Sequence, residues 1–114
     1  MQQFQAARAY RAASAHRGPR EQEADVFRRV TGALRAAQDG TPMDQVKAFA
    51  DNTRLWMMVG DLLRDRANGL PEALRASVIS VGQAVQREMR QAKPDFAFLI
   101  TVNEEITAGL SGRP

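Results

Sequence analysis

The sequence predicts an all-α fold: a compact bundle of four main helices preceded by a weaker N-terminal helix. Two observations carry that reading. Apolar residues recur at spacings of three and four along every long segment, the period of a single helical face. Between those segments stand short clusters that stop one helix and start the next: Asp39-Gly40-Thr41-Pro42, Asn68-Gly69-Leu70-Pro71 and Pro94-Asp95. At 114 residues the chain is one domain by length, large enough for a real core but not a large one.

Residues 3–15 are rich in Ala, Gln and Arg, all strong helix formers, with Phe4 and Tyr10 as the large apolar side chains. Such a helix has little to bury and docks loosely; His16-Arg17-Gly18-Pro19 ends it. The expected organisation is therefore a basic N-terminal helix or arm, 1–18, ahead of one bundle domain, 19–114. Pro19 suits a first helical position, and Glu21 and Glu23 set negative charge near the positive end of the helix dipole. Val26, Phe27, Val30, Ala33, Leu34 and Ala37 then form one apolar face, closed by Asp39-Gly40.

Thr41-Pro42-Met43-Asp44 has the form of a capping box with Pro at the first helical position. Met43, Val46, Phe49 and Ala50 make the expected apolar side, which continues through Leu55, Trp56, Val59, Leu62 and Leu63 to about Ala67. Asp51-Asn52-Thr53 marks a potential break, because these side chains compete with the helical ladder. Gly69 is suited to a left-handed helix end, and Pro71 begins the next helix, about 71–91, with Leu74, Val78, Val81, Val85 and Met89 in a narrow seam. In the last segment Phe96, Phe98, Ile100, Thr101 and Val102 have strand-like side chains. Leu99, Val102, Asn103, Ile106 and Leu110 nevertheless keep helical spacing, and a lone strand would lack a partner, so a helix ending at Gly109 is expected.

Composition narrows the function classes. Apolar runs reach only five residues, at Leu55–Val59 and Phe96–Ile100, against the roughly 18 that a membrane helix needs. The N-terminus has no continuous hydrophobic block of a secretory signal, and the absence of cysteine removes disulfides, thiolate ligands and a Cys nucleophile. A cytoplasmic protein is the expectation. The net charge of +3 comes from Arg8, Arg11, Arg17 and Arg20; residues 21–114 hold twelve basic and thirteen acidic side chains, a balance of −1. A neutral body argues against broad electrostatic binding to nucleic acid.

Signs of catalysis are few. His16, the single histidine, stands beside a Gly-Pro break, and no serine has a base in a recognisable arrangement. Asp61 and Asp65, one turn apart among arginines, read as solvated helix charges, because two carboxylates do not complete an oxygen cage. Neither an enzyme nor a metal or organic cofactor is expected. Arg28, Arg29 and Arg35 could form a basic stripe and Arg8, Arg11, Arg17 and Arg20 a basic arm, but of the stacking aromatics that single-strand recognition needs only Phe4 and Tyr10 could serve, and neither makes a known module. The remaining feature is Leu55-Trp56-Met57-Met58-Val59, apolar nearly all round a helix in a small bundle. Either this helix is central or one side of it meets a partner, and flexible methionines suit an adaptable groove. Candidate partner-binding residues are Trp56, Met57 and Met58, with Leu70, Pro71 and Arg75 at the groove edge.

Three blocks in order resemble the FlaF family of bacterial flagellar proteins. They are Pro19-Arg20-Glu21-x-Glu23 with Phe27, Thr31 and Leu34; Asn52, Arg54, Leu55, Trp56, Asp61-Leu62 leading to Asn68-x-Leu70-Pro71-x-x-Leu74-Arg75-Ala76 and Ile79-Ser80; and Val102-Asn103-x-x-Ile106-x-x-Gly109-Leu110. The resemblance implies a cytoplasmic helical protein linked to flagellin, supporting its production or secretion in a circuit with a second small protein, FlbT. A helical bundle could cover an aggregation-prone flagellin segment by helix-in-groove binding. The alternative implied function is regulation of flagellin messenger RNA, directly or through an FlbT-like partner. Met57-Met58 and the Ala/Arg-rich first helix depart from the family pattern.

Overall fold

The computed structural model describes residues 22–65, 67 and 69–110, and all the regular structure among them is helical. Helix α1 covers 22–38, α2 Pro42–Arg64, α3 Glu72–Met89 and α4 Phe96–Leu110, so the all-α bundle read from the sequence is correct. The expected helix at 3–15, the break at 16–19, the start at Pro19 and the 18/19 domain boundary lie outside the described residues.

Each junction is closed by local chemistry. Gly40 N–H donates to the Ala37 carbonyl, and the Gln45 side-chain amide donates to the Ala37 and Gln38 carbonyls at 3.2 and 3.4 Å, which satisfies α1's last acceptors from α2. At the start of α2 the capping box is complete: Asp44 N–H donates to Thr41 Oγ1 at 3.1 Å, and Thr41 N–H donates to Asp44 Oδ2 at 3.0 Å. Gly40 leaves room for that carboxylate, since a Cβ there would lie 2.8 Å from Asp44 Oδ2. Before α4, Asp95 Oδ1 accepts from Phe98 N–H, its carbonyl accepts from Leu99 N–H, and its own N–H donates to Glu88 of α3.

The core is built around α2. Trp56 is only 3% exposed and meets Phe27 of α1 edge to face, with ring centroids 5.6 Å apart at 88°. Its Nε1–H donates to Asn103 Oδ1 of α4 at 2.9 Å. Asn103 Nδ2 donates in turn to Asn52 Oδ1 at 2.8 Å, and Asn52 Nδ2 reaches the Met89 sulfur of α3 at 3.7 Å. Leu34, Leu55, Val85, Leu99 and Ile100 pack around this polar chain, while Phe49 stacks on Phe96 with centroids 4.8 Å apart. Burying an aliphatic side chain of this size stabilises by about 1.5–3 kcal/mol. Among the described residues no buried side-chain nitrogen or oxygen lacks a hydrogen-bond partner.

Several expectations are corrected. The potential break at 51–53 does not occur: α2 is continuous, and Asn52 spends its hydrogen bonds on α4 and α3 instead of its own backbone. The buried line of α2's first half runs through Ala48 and Asn52, leaving Met43 and Val46 66% and 61% exposed. α2 ends at Arg64, short of Ala67, with an extended Asp65 whose carboxylate accepts from Ala67 N–H. Gly69 does not take the left-handed conformation, and Gly109 lies inside α4 rather than capping it. Pro71 stands at the N-cap of α3, one position before the helix. Thr31, absent from the apolar face read in α1, is buried with its hydroxyl donating to the Phe27 carbonyl at 2.6 Å.

Two outcomes test this framework. Asn103→Leu strands the Trp56 N–H and the Asn52 oxygen together, at about 1–3 kcal/mol each, so urea unfolding should show a loss of roughly 2–6 kcal/mol. Adding Asn52→Leu to it should cost much less than the two single changes combined. Asp44 is held below its ordinary carboxylate value, chiefly by the bond from the Thr41 N–H and then by the Thr41 side chain. A depressed folded-state value adds stability above the unfolded pKa, near 4, that is lost as pH falls through the folded one. The stability gap between the wild type and Asp44→Asn should therefore close below about pH 4 in thermal melts followed by circular dichroism.

Candidate functional site

Because α2 is central, its surface between the flanking helices forms the seams where something else could bind. The larger seam lies between α2 and α3. It owes its floor to Gly82: with no side chain at that position α3 lies close against the indole, and a Cβ there would sit 3.2 Å from Trp56 Cε3. The floor is the buried edge of Trp56 with Val59, Leu63, Val78 and Ile79, and Met57 stands on the rim, 59% exposed. The volume is about 410 Å³, open to solvent. Towards the α2–α3 turn it adjoins a second hollow of about 340 Å³, which shares Leu63, Arg64 and Ile79 and adds Glu72, Arg75 and Ala76.

The six residues expected at a binding surface are placed differently from one another. Trp56 and Met57 meet in the α2–α3 groove, Trp56 as buried floor and Met57 as exposed rim, and Arg75 lines the adjoining hollow. Met58, 43% exposed, faces the other way, over smaller hollows between α1 and α2 lined by Val26, Leu55 and Leu62 among others. Leu70 and Pro71 lie in the turn, half-buried and exposed, and neither lines these hollows. Sequence reasoning missed Gly82, Gln83, Gln86, Arg87 and Arg90, all on the groove side of α3. A glycine in mid-helix was the available signal, since it marks a close approach of another group.

The basic stripe considered in α1 is partly neutralised. Arg28 pairs with Asp25 at 2.6 Å and Arg35 with Glu104 of α4 at 2.8 Å. Among the described residues no three His, Cys, Asp or Glu side chains gather as a metal site would require. No helix among them is long and apolar enough to cross a membrane.

These features define a class: a small all-α bundle with open seams on either side of its central helix. The chain belongs to the FlaF family of flagellar proteins. That family, described as flagellar protein FlaF, matches residues 6–110, a span that includes all three sequence blocks noted above. No curated protein and no solved structure matches the chain.

Gly82 offers a direct check on the groove. Gly82→Ala gains helix propensity of nearly 1 kcal/mol but presses on an indole held by Phe27 and Asn103, an overpacking cost of about 1–3 kcal/mol. The expected net result is a lower melting temperature. Gly32→Ala in α1, where a Cβ meets nothing within 4 Å, should instead stabilise by about 0.5–1 kcal/mol.

Proposed function

We propose that this protein is a cytoplasmic, non-enzymatic helper of flagellum assembly that binds flagellin and supports its production or secretion. Family membership supplies the flagellar context. The observation that carries the reading further is the α2–α3 groove, with its apolar floor and an exposed methionine at its rim. A groove between two helices accepts the apolar face of a third, the helix-in-groove mode of recognition. Such a cover keeps an unassembled segment from aggregating, and coupled folding lowers the affinity enough to allow release. Met57 lets the rim adapt to more than one side chain.

Regulation of flagellin synthesis is part of the same proposal insofar as a protein that holds free flagellin can report its level, with an FlbT-like partner as the reader. Direct action on messenger RNA finds less support, because two arginines of the α1 stripe are already paired with carboxylates.

The test is copurification of the full chain with full-length flagellin monomer at moderate salt, in parallel with binding to the flagellin transcript. A flagellin complex that survives moderate salt is expected. Loss of that complex, with transcript binding that falls steeply as salt rises, would replace this reading with the messenger RNA one.

A further inference from the structure

The groove is not only apolar. The body of the protein is close to neutral, with a balance of −1 over residues 21–114, yet the charges along the α2–α3 groove are segregated. Arg64, Arg75, Arg87 and Arg90 line it against Asp61 and Glu72, a local balance of +2. Arg64 stands 3.6 Å from Asp61 on its own helix, whereas Arg75, Arg87 and Arg90 make no ion pair among the described residues. The seam on the other side of α2 differs: Glu23 and Asp51 balance Arg29 and Arg54, and Arg54 is already bound to Asp51. Three uncommitted guanidiniums beside an apolar floor therefore single out one of the two seams.

We propose that the α2–α3 groove docks an amphipathic helix whose apolar face is flanked by carboxylates, and that Arg75, Arg87 and Arg90 select it by charge. The proposal rests on the helix-in-groove reading above and names the chemistry of the occupant. Geometry sets its length. α3 has 18 residues, roughly 27 Å at 1.5 Å per residue, so an occupant running along it spans about five turns. Trp56, Val59, Leu63 and Ile79 meet its apolar face, and the arginines lie along the α3 side within reach of its carboxylates. Arginine suits this role because its planar fork pairs carboxylates in a bidentate manner, and Gln83 and Gln86 add neutral donors between the charges.

Three synthetic 18-residue helical peptides, each with a leucine face flanked by Glu, Gln or Lys, provide the probe, read by fluorescence anisotropy against the full chain. The Glu peptide should bind about tenfold or more tightly than the Gln peptide, as expected for three partly exposed ion pairs, and the Lys peptide should bind weakest. Combined Arg75→Gln, Arg87→Gln and Arg90→Gln should erase the preference, and the matching Lys changes should keep most of it. Should the triple variant lose helicity, Arg87→Gln and Arg90→Gln singly, both at exposed positions, should each reduce the preference. Equal binding of the three peptides, an unaltered preference in the Gln variants, displacement of the Glu peptide by single-stranded RNA, or a self-associated dimer that the Gln variants dissociate would each overturn the proposal. Flagellin provides the separation from the broader reading. Full-strength flagellin binding by the triple variant overturns the groove assignment alone, whereas selective peptide binding without any flagellin complex overturns the flagellin reading alone.

Discussion

One indole holds the bundle together. Trp56 meets an aromatic ring of α1, a bare glycine of α3 and a side-chain amide of α4, so the positions of three helices are referred to one residue of the fourth. Its N–H could not be buried without an acceptor, and Asn103 supplies one. That in turn obliges Asn103 to find an acceptor for its own amide, which brings in Asn52 and, through it, Met89. A satisfied polar chain in a core of this size is directional in a way that leucine packing is not, because each link fixes both a distance and an orientation. The same residue determines the surface: the closeness of α3 to the indole creates the groove floor.

Much of this architecture was legible in the sequence. The capping box at Thr41 and Asp44, the Asp39-Gly40 stop and the helical spacing of the last segment all act locally, so the residues that specify them are neighbours in the chain. What failed to read correctly depended on long-range partners. Asn52 looks like a helix breaker because its competition with the backbone is visible in sequence, while its partner Asn103 is 51 residues away. Met43 and Val46 look like core because they are apolar at the right spacing, yet the buried side of that stretch runs through Ala48 and Asn52, on another part of the helix's circumference. Gly69 and Gly109 look like left-handed helix ends by residue type, but Asp65 closes α2 in an extended conformation and α4 continues past Gly109.

The candidate site was legible only in part, for the same reason. A helix that is apolar nearly all round signals that some of its surface is unusual, and α2 proves to be both the central helix and the wall of two seams. Adjacent positions on a helix are about 100° apart, and here that step carries Met57 to the α2–α3 groove and Met58 to the α1–α2 side, however alike they look in the sequence. The charge of the groove was hidden for a different reason. Arg75, Arg87 and Arg90 are unremarkable singly, and only the packing of α3 on α2 collects them along one edge.

The proposed occupant of the α2–α3 seam in this FlaF-family bundle is a partner helix. Hydrogen exchange of the full chain, alone and saturated with flagellin, addresses it without any substitution. Added protection should concentrate in the second half of α2 and in α3, over about 56–64 and 75–90, with α1 largely unchanged. Protection confined to α1 and the Met58 side of α2 would instead place the partner in the α1–α2 seam and leave the α2–α3 seam empty.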